Sequence, residues 1–296
     1  MKKRRLDFVR IAAAVVVLIA IAYFYLNLFS PGLIPKSLRI GIIRKPINLL
    51  VLGTDITYDA VTHKPMPKLE GRADTILLIH LDPIKSQINL LSIPRDTYLS
   101  IPGQGMQRIN VANAYGGASL VLKTVSTFTQ QKIDYYVTLK PNAITKMVDL
   151  LGGVTLYVDH DMRYVDRAQN LNINLKKGWW KLSGKEAHDY IRYRDKIKGD
   201  IGRIGRQQLF LKALMQALLR PSNIFKTPFV IRSVLQEIET DLPLSLAIRL
   251  LNFARMTSAK NIKTEMVPGD VSFVQDVGSV WLPDTVALKK LIEEYS

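Results

Sequence analysis

No cysteine occurs anywhere in the 296 residues. That absence removes disulfides, thiolate nucleophiles and zinc-thiolate sites together. A nucleophile elbow, a His-rich zinc pattern and a Walker loop are missing as well, which leaves the commonest hydrolytic, metallo-hydrolytic and NTP-driven chemistries without a signature. Negative charge is in short supply: 25 Asp and Glu stand against 41 Lys and Arg, for a formal charge of +16. Such an imbalance points to a polyanionic partner, whether nucleic acid, an acidic membrane surface or a phosphate-bearing substrate. Repeats and low-complexity linkers are absent too, so residues 46–296 read as one domain, and 48% apolar content supplies ample core for it.

One long hydrophobic run is present. Ile11 to Phe29 contains Asn27 as its only strongly polar member and follows a basic cluster, Lys2, Lys3, Arg4, Arg5 and Arg10. At about 1.5 Å per residue such a run nearly crosses a hydrocarbon core of roughly 30 Å. It reads as a single membrane anchor, with residues 1–10 a cytoplasmic tail, 30–45 a juxtamembrane linker and 46–296 outside the membrane. Signal-peptidase cleavage near Ala22 and a buried core helix are the competing readings of the same run. The linker carries Pro31, Gly32 and Pro35 as breakers and Lys36, Arg39, Arg44 and Lys45 close to lipid headgroups. A domain displayed on that side of the membrane does not meet nucleic acid.

Beyond the linker, strand-like apolar runs alternate with helical periodicity, the pattern of an α/β domain. Ile47 to Leu52 is a strand ended by Gly53, Thr54 and Asp55; residues 56–71 are a loop; Asp74 stands at the mouth of a second strand, Ile76 to Leu81. A carboxylate at the end of a buried strand sits at the sheet rim, where α/β sites form. Asp55 and Asp74 could therefore converge on a hard divalent cation, or be unrelated loop and capping residues beside Arg72. A third strand, Gln87 to Ile93, turns out through Pro94, Arg95, Asp96 and Thr97. Helices are expected from Asn113 to about Gln131, at 141–151, at about 222–238 and 244–258, and from about Asp284; strands at 133–139, 154–159 and 262–267; a polar stretch at 160–178; and Trp179 and Trp180 in the core, with the edge of a groove as the alternative.

Cation density peaks between Arg192 and Gln208, where Arg192, Arg194, Lys196, Lys198, Arg203 and Arg206 face only Asp195 and Asp200. If a helix opens at Gly199, Asp200 lies in its first turn, and Arg203, Arg206 and Gln207 share one face. Arg192 and Arg194 point the same way if their stretch is extended. Converging guanidiniums suit a diphosphate, whereas a solvated basic face is the plainer alternative.

The ordered series Gly53-Thr-Asp55, Arg72-Ala-Asp-Thr75, Leu91-Ser-Ile-Pro-Arg-Asp-Thr97, Arg108-Ile-Asn110, Asp149-Leu-Leu-Gly-Gly-Val154, Arg192-Tyr-Arg194 and Gly199-Asp-Ile-Gly-Arg-Ile-Gly-Arg-Gln-Gln208 resembles the LytR-CpsA-Psr family. What the resemblance implies is an α/β domain with a central mixed sheet flanked by helices, preceded by one transmembrane helix. The implied activity is Mg²⁺-dependent, with Mn²⁺ as a substitute: transfer of a glycopolymer from an undecaprenyl (polyprenyl) diphosphate carrier to peptidoglycan or another wall acceptor. By motif, Asp55 and Asp74 would serve the metal. Arg72, Arg108, Arg192, Arg194 and Gln207 would hold the diphosphate, and Arg95, Asp200, Arg203 and Arg206 would act at the reacting centre. Departures are Ile56 and Thr57 after the first Asp, where an Arg is common, Arg108 in place of Lys, and His188 at a usually apolar place. Two other classes compete, a diphosphatase that uses water as acceptor and a non-catalytic envelope receptor or transcription attenuator.

Overall fold

The computed structural model describes residues 43–54, 71–166, 171–193, 199–218, 220–224, 227–234 and 237–295. The expected anchor at 11–29, Asp55 and Arg194 lie outside these residues. Among the described residues no helix is long and apolar enough to cross a membrane.

Strands β1 (Ile47–Thr54), β2 (Ala73–Asp82) and β3 (Gln87–Ile93) form an antiparallel core, since each is an apolar run long enough to be buried. A hairpin of β4 (Tyr98–Ile101) and β5 (Gly105–Arg108) leads into α1 (Val111–Thr129), which is interrupted at Gly116 and Gly117. Gly117 has a φ of 60°, the left-handed region that a side chain disfavours, so the expected helix is two segments. After β6 (Tyr135–Leu139) come α2 (Pro141–Leu150), β7 (Val154–Val158), β8 (Met162–Asp166), β9 (Leu171–Leu175) and β10 (Gly178–Leu182). The helices α3 (Gly184–Arg192), α4 (Gly199–Leu218), α5 (Pro221–Ile224) and α6 (Thr227–Val234) lead to β11 (Ile238–Thr240). The chain continues with α7 (Leu244–Met256), β12 (Ile262–Met266), β13 (Gly269–Val274), β14 (Gly278–Pro283) and α8 (Thr285–Glu293).

The six-stranded sheet has the order β11-β6-β1-β2-β3-β12 and is mixed, as expected. β1 is parallel to β6 and β3 to β12, while β2 is antiparallel to both β1 and β3. The carboxyl ends of β1, β3, β6 and β12 therefore share one rim with the amino end of β2. On one face, Leu50, Leu52, Ile76, Leu78, Leu91 and Ile93 pack against Val121 and Val125 of α1 and Leu288 and Ile292 of α8. A second core joins Val154, Leu156 and Val158 of β7 with Tyr190 of α3, Phe210 and Leu214 of α4 and Val230 of α6. Residues 45–242 and 259–296 form one compact unit, and 243–258 fall in another, in which α7 buries Leu250, Phe253 and Ala254.

Three differences from the sequence reading have local causes. The polar stretch at 160–178 contains the β8–β9 hairpin, in which Met162, Ile173 and Leu175 are buried while Arg163, Val165, Asn172 and Asn174 are exposed. Trp179 is not a core residue: it is 75% exposed, stacked edge-on against Tyr157 with ring centroids 5.5 Å apart, while half-buried Trp180 donates from Nε1 to Lys176 O. The helix expected over about 222–238 is divided among α5, α6 and β11.

Candidate active site

Strand direction alone carries Asp74, at the start of β2, and Arg95, just past β3, to the same rim. The local pairing then aims the carboxylate. Gly53 pairs with Thr75 but Thr54 pairs with Ala73, so Asp74 is the extra residue of a β-bulge. Bulges re-aim a side chain and are frequent beside sites. Arg95 Nη1 donates to Asp74 Oδ1 at 2.7 Å, and Arg95 Nε lies 3.6 Å from Asp96 Oδ2. The other oxygen of Asp96 is 3.8 Å from Arg108 Nε, and Arg108 Nη2 donates to Val277 O at 2.6 Å. A chain of alternating charge results, Asp74–Arg95–Asp96–Arg108, with every member partly exposed.

Arg203 enters the same place from α4, its Nη2 lying 3.5 Å from the backbone oxygen of Asp74 as a long contact. It is only 4% exposed, and Arg206, one turn on, 5%. Burying two guanidiniums in one helix is costly unless both are well partnered. Arg206 donates from Nη2 to Tyr193 O and lies over the Tyr193 ring, 5.1 Å from its centroid. Nearby Tyr190 has its hydroxyl pushed up to about 12, mainly by burial and then by Asp159, with Arg206 pulling the other way.

Hydrogen bonds fasten the scaffold behind these groups. Thr97 Oγ1 donates to Pro94 O at 2.6 Å, Asn110 N to Arg95 O at 3.1 Å and Trp281 N to Asp96 O at 2.9 Å, so the turn carrying Arg95 and Asp96 is held by β5, α1 and β14. Asn113 Nδ2 donates to Gly71 O and Ala73 N to Asn110 O, which secures the approach to Asp74. Gln208 Nε2 donates to Ser92 Oγ at 2.8 Å and fastens α4 to β3. Asp149 Oδ1 accepts from Gly184 N at 2.7 Å, and Gly152 and Gly153 have φ of 75° and 102°, so the Asp-Leu-Leu-Gly-Gly motif builds the turn that seats α3.

The expected site residues divide accordingly. Asp74, Arg95, Arg108 and Arg203 come together, and α4 opens at Gly199 as expected. Arg206 is directed to Tyr193; Gln207 is half-buried on α4, Arg192 half-buried at the end of α3, and Arg72 exposed. Asp200 is in the first turn of α4, its side chain beyond the described part. The expected extended pairing of Arg192 with Arg194 is corrected at Arg192, which belongs to helix α3. A capping box of Ser183 and Glu186 starts that helix two turns earlier and carries it that far. Asp96, Tyr193 and Gln208 were not singled out for roles in the sequence; for Asp96 the signal was its place between two arginines at a strand end.

No cluster of three metal-ligating side chains occurs among the described residues. Asp74 offers one hard oxygen donor at the rim, and Thr54, the chain neighbour of Asp55, pairs with Ala73 beside it. One or two carboxylates completed by substrate phosphate oxygens and water is the donor set that Mg²⁺ takes.

A model of the LytR_cpsA_psr family matches residues 36–296. The chain is 32% identical over 225 residues to the regulatory protein MsrR of Staphylococcus aureus, covering 75% of this chain and 64% of that protein's length. It is also 32% identical over 241 residues to the polyisoprenyl-teichoic acid–peptidoglycan teichoic acid transferase TagU of Halalkalibacterium halodurans, covering 80% of this chain and 74% of that one. The crystal structure of Bacillus subtilis TagV superposes with a TM-score of 0.73 at 27% identity, over 86% of this chain and 98% of that chain.

Proposed function

This chain belongs to the LytR_cpsA_psr family, and on that footing we propose that it transfers a glycopolymer from a polyprenyl diphosphate carrier to a cell-wall acceptor such as peptidoglycan. The observation that carries the reading is the rim cluster: Arg95 and Arg108 linked through Asp96, with Arg95 on Asp74 and buried Arg203 behind it. The name of the Halalkalibacterium halodurans relative, a teichoic acid transferase, supports the same reaction class. Phosphoryl transfer requires charge neutralisation around non-bridging oxygens more than a nucleophilic side chain, and this chain offers cations and carboxylates rather than a nucleophile.

In this reading an acceptor sugar hydroxyl attacks the glycan-proximal phosphorus, the phosphorus–oxygen bond to the lipid phosphate breaks, and polyprenyl monophosphate leaves. The new bond is a phosphodiester, and the hydroxyl proton passes to Asp200 or to water. Arg95, Arg203 and Arg206 neutralise the reacting phosphate, while Arg72, Arg108, Arg192, Arg194 and Gln207 orient the diphosphate. Asp74 and Asp55 would hold Mg²⁺, which when bound supplies further positive charge to the phosphate oxygens. The proposed layout places residues 11–29 in the membrane, with 1–10 cytoplasmic, 30–45 a linker and 46–296 outside.

The name of the Staphylococcus aureus relative, a regulatory protein, favours a second reading, in which the same arginines bind the lipid-linked glycan without turnover. Incubating the full chain in detergent with polyprenyl-diphosphate glycan, Mg²⁺ and a wall acceptor separates the readings. Transfer predicts polyprenyl monophosphate together with acceptor-linked glycan. Release without an acceptor product identifies a diphosphatase, and binding without release a receptor.

A further inference from the structure

At the sheet end remote from the arginines, three polar side chains lie in one row across three strands. Asn48 of β1 pairs in register with His80 of β2, and His80 with Asn89 of β3. Two residues along each strand, Leu50, Leu78 and Leu91 belong to the face that α1 and α8 cover, so the polar row is on that face. Together with Gln131, Ile292 and Tyr295 these residues border a small cavity, in which the centre of a water molecule has about 10 Å³ to occupy.

The hydrogen-bond roles around the cavity follow from a neighbouring bond. Asn48 Nδ2 donates to Lys132 O at 2.8 Å, so its Oδ1 is the atom facing His80 Nδ1, at 2.7 Å. Nδ1 must then carry the proton, and Nε2 is left as an acceptor. Burial holds the imidazole pKa below its ordinary value, assisted by Lys85 and opposed by Asp82 and Asp134, in keeping with a neutral ring. His80 Nε2, both polar atoms of Asn89 and the Tyr295 hydroxyl are buried with no protein partner, Asn89 being 1% and Tyr295 6% exposed. Four such atoms around one space are costly to leave unmade.

We propose that this cavity binds one ordered water. It donates to His80 Nε2 and Asn89 Oδ1, accepts from Tyr295 Oη or Asn89 Nδ2, and latches the end of α8 to the sheet. The space matches one water, and the partners number within the two to four that a buried water takes. The site is independent of the transfer reaction.

The test is thermal unfolding of the full chain in detergent, comparing Tyr295→Phe and Asn89→Leu with the parent. Tyr295→Phe removes one oxygen and adds no bulk. With water in place, each substitution strands its remaining partners and lowers Tm by about 2–4 °C. A dry cavity gives the opposite sign: deleting an orphaned polar group leaves Tm unchanged or raises it, and that result overturns the proposal. Nitrogen-15 spectra of His80 in the unsubstituted chain provide a check that needs no variant. A proton on Nδ1, with Nε2 shifted as a hydrogen-bond acceptor, is expected; a proton on Nε2 refutes the assignment.

Discussion

Asp96 holds Arg95 with one carboxylate oxygen and Arg108 with the other, at 3.6 and 3.8 Å, while its own backbone oxygen accepts from Trp281 N. Its proposed part is positioning: two guanidiniums are kept at a fixed separation before any phosphate arrives. Asp96→Asn keeps the shape and removes the charge, so both arginines lose their common restraint. Transfer should fall roughly 10- to 100-fold, mostly in kcat, because a small misplacement of charge-stabilising groups is felt in the transition state. Unchanged kcat with raised KM would mean that Asp96 serves binding alone. Arg203 differs in being buried, so Arg203→Lys, which preserves charge but loses the planar fork, should fail nearly as completely as Arg203→Ala.

At the scale of elements, α4 brings Arg203 to the rim, and the start of α3, the helix before it, is specified locally. Ser183 Oγ accepts from Glu186 N while the Glu186 carboxylate accepts from Ser183 N. Ser183→Ala should cost about 1 kcal/mol of stability, read as a drop in Tm of about 2–4 °C; an unchanged Tm would show that α3 is held by packing alone. Much of this layer was legible in the sequence. β1, β2 and β3 read as strands because sheets buried on both faces leave continuous apolar runs, and Asp74 and Arg95 stood out as charged residues at the ends of such runs. The β8–β9 and β13–β14 hairpins were not legible, because strands of five or six residues with few buried side chains resemble loops until a partner is known. The partners of Arg206 and Gln208 were hidden for a related reason. Tyr193 precedes Arg206 by 13 positions, and Ser92 lies 116 from Gln208, separations that no periodicity reports.

At the scale of the whole molecule, net charge bears on substrate capture and a half-buried histidine on acid stability. In the proposed reaction the formal charge of +16 would draw an anionic carrier towards the protein, so turnover at low carrier concentration should weaken as salt rises. His80 contributes to stability against acid, because its folded pKa lies below its unfolded value where burial disfavours the charged ring. A depressed histidine binds its proton more readily in the unfolded chain. Its contribution is therefore complete above the unfolded pKa of about 6.5 and is lost as pH falls towards the folded one. Urea unfolding of the full chain between about pH 7 and 5 should show stability declining, with the decline reduced in His80→Gln; an equal slope in both would assign the acid sensitivity elsewhere.

In the proposed function the Asp74–Arg95–Asp96–Arg108 chain and Arg203 together form one phosphoryl-transfer centre. It is tested most directly by phosphorus-31 analysis of the products from polyprenyl-diphosphate glycan, wall acceptor and Mg²⁺, with the unsubstituted full chain and with folded Arg95→Ala and Arg203→Ala variants. The account predicts an acceptor-linked phosphodiester and free polyprenyl monophosphate from the unsubstituted chain, and neither from the variants. Equal product from all three, or intact substrate with the unsubstituted chain, would contradict it.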